Sequence, residues 1–160
     1  MKIEVGQTIP EARVFIMSEQ GPQAVTTNEL LGQGKTALFA LPGAFTPTCS
    51  ALHVPGFLAQ AEAFKQRGID RIVCLSVNDP FVMMAWGEQQ NVQDKILMVG
   101  DGNAELTLAL GLEVDRSDVG MGMRSQRYSM LIDNGVLQQL NIEQAGQFEV
   151  SDANTLLAQL

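Results

Sequence analysis

The sequence predicts an α/β fold: a mixed central β-sheet flanked by helices. Three observations predict it. The continuous apolar runs TALFAL (36–41), RIVCLSV (71–77) and KILMVG (95–100) have the length and composition of strands buried on both faces. Helical segments separate these runs, which is the arrangement of parallel strands joined by crossovers. Further on, RYSMLID (127–133) and VLQQLNI (136–142) flank Asn134-Gly135, a strong type I′ turn signal, so the sheet should gain an antiparallel hairpin.

The remaining elements follow in order. ARVFI (12–16) reads as a short strand, and TTNELL (26–31) as one capped helical turn closed by Gly32 and Gly34. The helix entered at Cys49 should run to about Gly68, kinked or split at Pro55. PFVMMAWGEQQ (80–90) follows an Asp-Pro helix start, and AELTLALG (104–111) is a short helix ended by Gly111. SDANTLLAQL (151–160) closes the chain as a helix with Ser151 as its N-cap. This order fits a thioredoxin-like layout. With 160 residues, 46% of them hydrophobic, and no repeat, low-complexity tract or linker, one domain over 1–160 is expected.

Composition excludes several function classes. A net charge of −8 repels phosphate backbones, so nucleic acid is not an expected partner. No apolar run approaches the roughly 20 residues of a membrane span. The first residues, MKIEVGQTIPEARVF, lack an apolar signal core and are acidic for a transit peptide, which points to a soluble cytoplasmic protein. Two cysteines, Cys49 and Cys74, are too few for a disulfide framework. One histidine, His53, and no C-x-x-C argue against a metal site, and no cofactor is implied.

The stretch PGAFTPTC (42–49) carries the chemistry. Thr46 suits an N-cap and Pro47 a first helical position, so Cys49 falls in the first turn of a helix. Unpaired amides and the positive end of the helix dipole meet there, and both favour a thiolate. Where a dithiol site would carry C-x-x-C, this one reads Thr46-Pro47-Thr48-Cys49: a hydroxyl replaces the partner sulfur. A local disulfide is therefore not the first step. That hydroxyl could hydrogen-bond the thiolate or a bound oxygen. From the residues alone, Cys49 is equally a small buried hydrophobe behind an ordinary T-P helix start.

Pro42, Thr46 and Cys49 match P-x-x-x-T-x-x-C, and PGAFTPTCS, HVPGF (53–57), LSVNDPFV (75–82) and RSQRYSM (124–130) extend the match. With these blocks, from VGQTIP to the last helix, the chain resembles the peroxiredoxins in their Prx5 or type II branch. The resemblance implies a thioredoxin fold and an antioxidant, thiol-dependent peroxidase, an oxidoreductase of cell redox homeostasis with a cysteine redox-active centre. It implies that Cys49 is the peroxidatic nucleophile and attacks a hydroperoxide to become a sulfenic acid. Thr46 would then supply or relay a hydrogen bond, Pro42 would shield the sulfur from water, and Arg127 would face it. Arg suits that place because it stays charged and presents several donors in a plane. Arg124 competes by proximity or supports the local loop, and by residue type alone either arginine is a solvated surface charge. His53, four residues after Cys49, falls on the same helix face, as an accessory to the thiolate or a packing residue.

Turnover needs a second thiol. Cys74 lies in a buried strand, where an inert core cysteine is the default and a bond to Cys49 would require its helix to unwind. Plant type II members carry a cysteine at the matching place, and the resemblance implies a resolving role for it. No cysteine stands near the C-terminus, unlike the animal Prx5 pattern. The other route is an external reductant: glutathione, glutaredoxin or thioredoxin. Helix 80–90 has more apolar residues than one face needs. Most of Phe81, Val82, Met83, Met84 and Trp86 should be core, and the rest could join Phe45 and the loop near Gly120 in a homodimer face. A Met-rich apolar mouth would suit alkyl hydroperoxides as well as hydrogen peroxide. A thiol–disulfide carrier, a non-enzymatic redox sensor and a cysteine hydrolase are the alternatives. The first lacks C-x-x-C, the second differs in rate, and the third lacks a well-placed base.

Overall fold

Along Lys35–Leu41 the side chains alternate between two apolar layers: Leu38 and Ala40 face one, Ala37, Phe39 and Leu41 the other. That period-two pattern makes this strand the centre of a sheet covered on both faces. The computed structural model describes residues 1–160. Its strands are β1 (Arg13–Ser18), β2 (Gly21–Thr26), β3 (Lys35–Leu41), β4 (Arg71–Ser76), β5 (Leu97–Gly100), β6 (Glu113–Arg116), β7 (Gly122–Ser125), β8 (Tyr128–Asp133) and β9 (Val136–Ile142). Seven of them form one sheet in the order β2-β1-β5-β4-β3-β8-β9. The centre β5-β4-β3 is parallel, and the β1-β2 and β8-β9 hairpins are antiparallel margins. This is the mixed sheet of a thioredoxin-like fold.

Helices α1 (Thr27–Leu31) and α5 (Glu105–Leu110) supply Leu31, Leu106 and Leu110 to one layer. The other layer takes Val54 and Phe57 from α2 (Val54–Ala59), Phe64 from α3 (Ala61–Gln66), Met83 and Trp86 from α4 (Pro80–Gln89), and Leu156 from α6 (Ala153–Ala158). Local signals set the boundaries. Thr26 and Glu29 close a reciprocal capping box on α1. Asp79 accepts from Val82 N at the start of α4. At Gly111 the chain turns left-handed (φ 72°), and a Cβ would lie 2.6 Å from the Met1 carbonyl oxygen. Asn134 and Gly135 both have positive φ, as the type I′ turn demands.

Several expectations need correction. Strands β2, β6 and β7 were absent from the sequence reading. Strand β2 is an edge strand that contains Pro22 and buries only Val25, while β6 and β7 form a separate, mostly half-buried ribbon. None presents the apolar run or clean alternation that marks a half-buried strand. The helix after Cys49 does not break at Pro55. It opens into a π-turn over Cys49–His53, closed by Val54 N to the Cys49 carbonyl, and Pro55 starts α2, where its missing N–H costs nothing. The break falls at Gln60. Asp152, not Ser151, caps α6, accepting from Thr155 N, because Ser151 is engaged elsewhere. Of Phe81, Val82, Met83, Met84 and Trp86 on α4, only Met83 and Trp86 are core; Phe81 and Met84 are exposed.

Candidate active site

The register of the sheet brings distant residues together. Ala40 pairs with Tyr128, and Tyr128 with Ile142. One step further along, Leu41, Arg127 and Glu143 therefore stand at the same end of three neighbouring strands, and Glu143 N donates to the Arg127 carbonyl at 2.9 Å. The Cys49 helix leaves β3 at that end. The loop before it is held from both sides. Ala44 N donates to Asn78 Oδ1 at 3.0 Å, and Arg124 donates to the Pro42 and Met121 carbonyls at 3.3 and 2.9 Å. Arg124 thus supports the loop, and Pro42 lines its outer wall.

The Thr46 side chain does not cap the helix. Its hydroxyl donates to the Gly43 carbonyl at 2.8 Å, which leaves the oxygen lone pairs free to accept from a bound molecule. Ser50 N closes the first helical turn on the Thr46 carbonyl. Trp86 Nε1 donates to Ser50 Oγ at 3.0 Å and so ties α4 to this turn.

Cys49 is fully buried in the apolar layer with Phe39, Val54 and Phe57. A charged sulfur there would be costly without a partner. Arg127 provides one: its Nη2 lies 3.1 Å from Cys49 Sγ. The other arm of the guanidinium, Nη1, donates to His53 Nδ1 at 2.9 Å, and His53 Nε2 donates to the Ser151 carbonyl at 3.0 Å. Phe148 covers the assembly, its ring centroid 5.8 Å from Arg127 Cζ and 5.0 Å from the His53 ring. Arg127 also lines an open cavity of about 780 Å³ with Pro42, Thr48, Asp115, Arg116 and Phe148. This guanidinium therefore links the buried sulfur to open space. No methionine lines this cavity, which departs from the expectation of a Met-rich mouth; Met84 opens onto a different depression, beside Ile16 and Met98.

Burial, and secondarily the Arg127 charge, lower the His53 pKa from 6.5 to about 3, so its ring is neutral with a lone pair toward Arg127. Above pH 6.5 the folded and unfolded chains agree in leaving it neutral. Below that, the unfolded chain takes up a proton that the fold refuses, so stability falls as pH falls toward 3. As the only histidine, His53 should give a slope of up to about 1.4 kcal/mol per pH unit between pH 6.5 and 5. Urea unfolding at pH 7.5, 6 and 5 measures it, and His53→Gln should flatten it. Asp101 has the opposite sign, because burial raises its carboxyl pKa and the fold takes up its proton first.

Cys74 lies mid-strand in β4, paired with Phe39 of β3 and Met98 of β5, fully buried in the same layer as Cys49. Burial, and then the nearness of Cys49, push its thiol pKa well above the ordinary value. No three His, Cys, Asp or Glu residues are grouped to hold a metal ion. No helix is long and apolar enough to cross a membrane. Sequence reasoning missed Glu143, Phe148 and Ser151 as parts of this site. They lie on a polar loop with no motif, and only the sheet register reveals them.

The Redoxin family model matches residues 4–157. The chain belongs to this family, as a peroxiredoxin. It is 45% identical to peroxiredoxin-2D of Arabidopsis thaliana over 159 residues, 99% of this chain and 98% of the relative. The structure of reduced Prx3 of Vibrio vulnificus in complex with hydrogen peroxide is 50% identical and covers 98% of both chains with a TM-score of 0.94. Peroxiredoxin 5 from Alvinella pompejana is 34% identical, covers 98% of this chain and 96% of its own, and has a TM-score of 0.87. This peroxiredoxin is accordingly of the peroxiredoxin-2/Prx5 type, a thiol-dependent peroxidase with a peroxide substrate and a thiol reductant.

Proposed function

We propose that Cys49 is the peroxidatic thiol and that it reduces hydrogen peroxide and alkyl hydroperoxides, with an external thiol completing the cycle. The observation that carries this reading is the 3.1 Å contact from Arg127 Nη2 to Cys49 Sγ at the start of a helix. The thiolate attacks the terminal peroxide oxygen, an S–O bond forms and the O–O bond breaks. The electron pair leaves with hydroxide or alkoxide, which takes a proton to give water or alcohol, and Cys49 becomes a sulfenic acid. Charge flows from sulfur to the leaving oxygen, so donors already fixed around the line of attack help most. Arg127 is one such donor, and the amides of the first helical turn are others. The Thr46 oxygen, with its own proton spent on Gly43, accepts from the peroxide O–H and orients it. Pro42 walls the site without adding an N–H.

Two thiol equivalents then return the sulfenic acid to thiol and release water. Glutathione, a glutaredoxin or thioredoxin fits this role. The support is the placement of Cys74: hydrogen-bonded strands flank it on both sides, which disfavours its approach to Cys49 as a resolving thiol. The same reading places the protein in the cytoplasm, a reducing compartment in which both thiols stay free between turnovers. It also assigns a homodimer to the exposed apolar residues Phe45, Phe81, Met84, Val119 and Met123.

The test mixes reduced protein with one equivalent of hydroperoxide and follows the masses of both cysteines. Fast sulfenic acid at Cys49, converted by added glutathione to a mixed disulfide, is expected. Oxidation no faster than that of a free thiol would refute the reading, and a Cys49–Cys74 disulfide would refute the external route. Thr46→Val keeps the volume but removes the acceptor. It should slow oxidation of Cys49 by about 10²-fold and cost only about 1 kcal/mol of stability for the lost loop bond. Stopped-flow rates and urea midpoints separate the two effects.

A further inference from the structure

Glu143, just past β9, lines the open cavity beside Arg127 and makes no hydrogen bond to Cys49, yet its carboxylate is the most heavily hydrogen-bonded side chain near the site. It accepts from Glu149 N (2.9 and 2.8 Å), Val150 N (2.8 Å), Ser151 N (2.8 Å) and Ser151 Oγ (2.7 Å). Three consecutive amides are thereby turned inward. The Ser151 carbonyl faces His53 Nε2 at 3.0 Å, which fixes the ring proton on Nε2 and leaves the Nδ1 lone pair for Arg127. A guanidinium is a rigid plane, so pinning Nη1 aims Nη2 at Cys49 Sγ. The same loop carries Phe148 over both Arg127 and His53.

We propose that Glu143 is a positioning residue for the peroxidase reaction: by holding residues 149–151 it fixes the Ser151 carbonyl, the tautomer of His53 and the direction of Arg127. This rests on the assignment of Cys49 and Arg127 made above. A loop anchor with no part in the reaction would show the same hydrogen bonds, and the two roles separate in their dependence on pH.

The charged and titratable groups around His53 are Arg127 before β8, Cys49 on its own helix, and Glu143 and Asp152 from the loop. While the loop is anchored, His53 stays neutral. Freed from Glu143, the loop admits water, the imidazole regains its ordinary basicity, and the imidazolium repels Arg127 instead of accepting from it.

Glu143→Ala should therefore slow peroxide oxidation of Cys49 about tenfold at pH 7.5. Divided by the parent rate at each pH, its rate should fall further below pH 6.5, by up to about tenfold per unit. Glu143→Gln keeps one acceptor oxygen and should restore most of the rate, with a shallower acid limb. Adding His53→Asn to Glu143→Ala should abolish the limb, because nothing is left to titrate. Alkylation of Cys49 by iodoacetamide, which needs the thiolate but no peroxide geometry, should slow less than peroxide oxidation does. A variant-to-parent ratio that stays flat from pH 8 to 5 overturns the proposal, as does an equal slowing of alkylation. If Glu143→Ala does not fold, the ratio for Glu143→Gln decides in the same way. A parent no faster than a free thiol would instead strike at the assignment of Cys49.

Discussion

Cys49→Ser should leave no peroxide turnover above the uncatalysed background. The substitution is nearly isosteric, so the apolar layer around residue 49 and the contact with Arg127 should survive. What is lost is the nucleophile. A serine hydroxyl is not ionised near neutral pH, and no general base stands beside it: the one nearby histidine has its lone pair committed to Arg127. Cys74 cannot substitute, because its thiol is fully buried in β4 and burial raises its pKa well above the ordinary value. Peroxide consumption with excess thiol reductant, read beside the intact mass after one equivalent of peroxide, is the measurement. Turnover that persists, or an added oxygen on Cys74, would move the chemistry away from residue 49.

Arg127→Gln should slow oxidation of Cys49 by about 10²-fold while leaving the fold largely intact. Arg127 does two things at once. Its Nη2 donates to a sulfur that has no other hydrogen-bond partner, and it spans from Cys49 to His53 with two arms of one rigid group. A glutamine is shorter and neutral, and it cannot reach both. The fold tolerates the change because the sheet register at β8 depends on backbone pairing and on Tyr128, Met130 and Ile132 inside the apolar layer. Arg127→Lys should fall between parent and Gln, since it keeps the charge but not the fork. Stopped-flow rates at fixed pH, with circular dichroism to check folding, decide the matter. A parent-like rate in the Gln variant would remove Arg127 from the mechanism.

Parts of this were legible before any coordinates. TALFAL, RIVCLSV and the NG hairpin announce buried strands and a tight turn because continuous apolar runs and a positive-φ pair have few other uses. Strands β2, β6 and β7 were illegible for the converse reason: they bury little, and pairing rather than side-chain pattern makes them strands. Residue type also misled at Thr46 and Ser151. Both have the chemistry of helix caps, but Thr46 spends its hydroxyl on Gly43 and Ser151 on Glu143.

By itself the sequence determined the fold class, the thiol at a helix start and, through its resemblance to a family, the arginine to look for. Those are local signals or whole-chain ones. The tertiary structure alone decided that Arg127 spans from the sulfur to His53, that His53 is a neutral acceptor rather than a charged neighbour, and that Glu143 holds the loop behind it. The physical reason is that the contacts among Cys49, His53, Arg127 and Ser151 cross 74 to 98 residues of chain. Such distances close only when three strands are in register, and no short stretch of sequence encodes that.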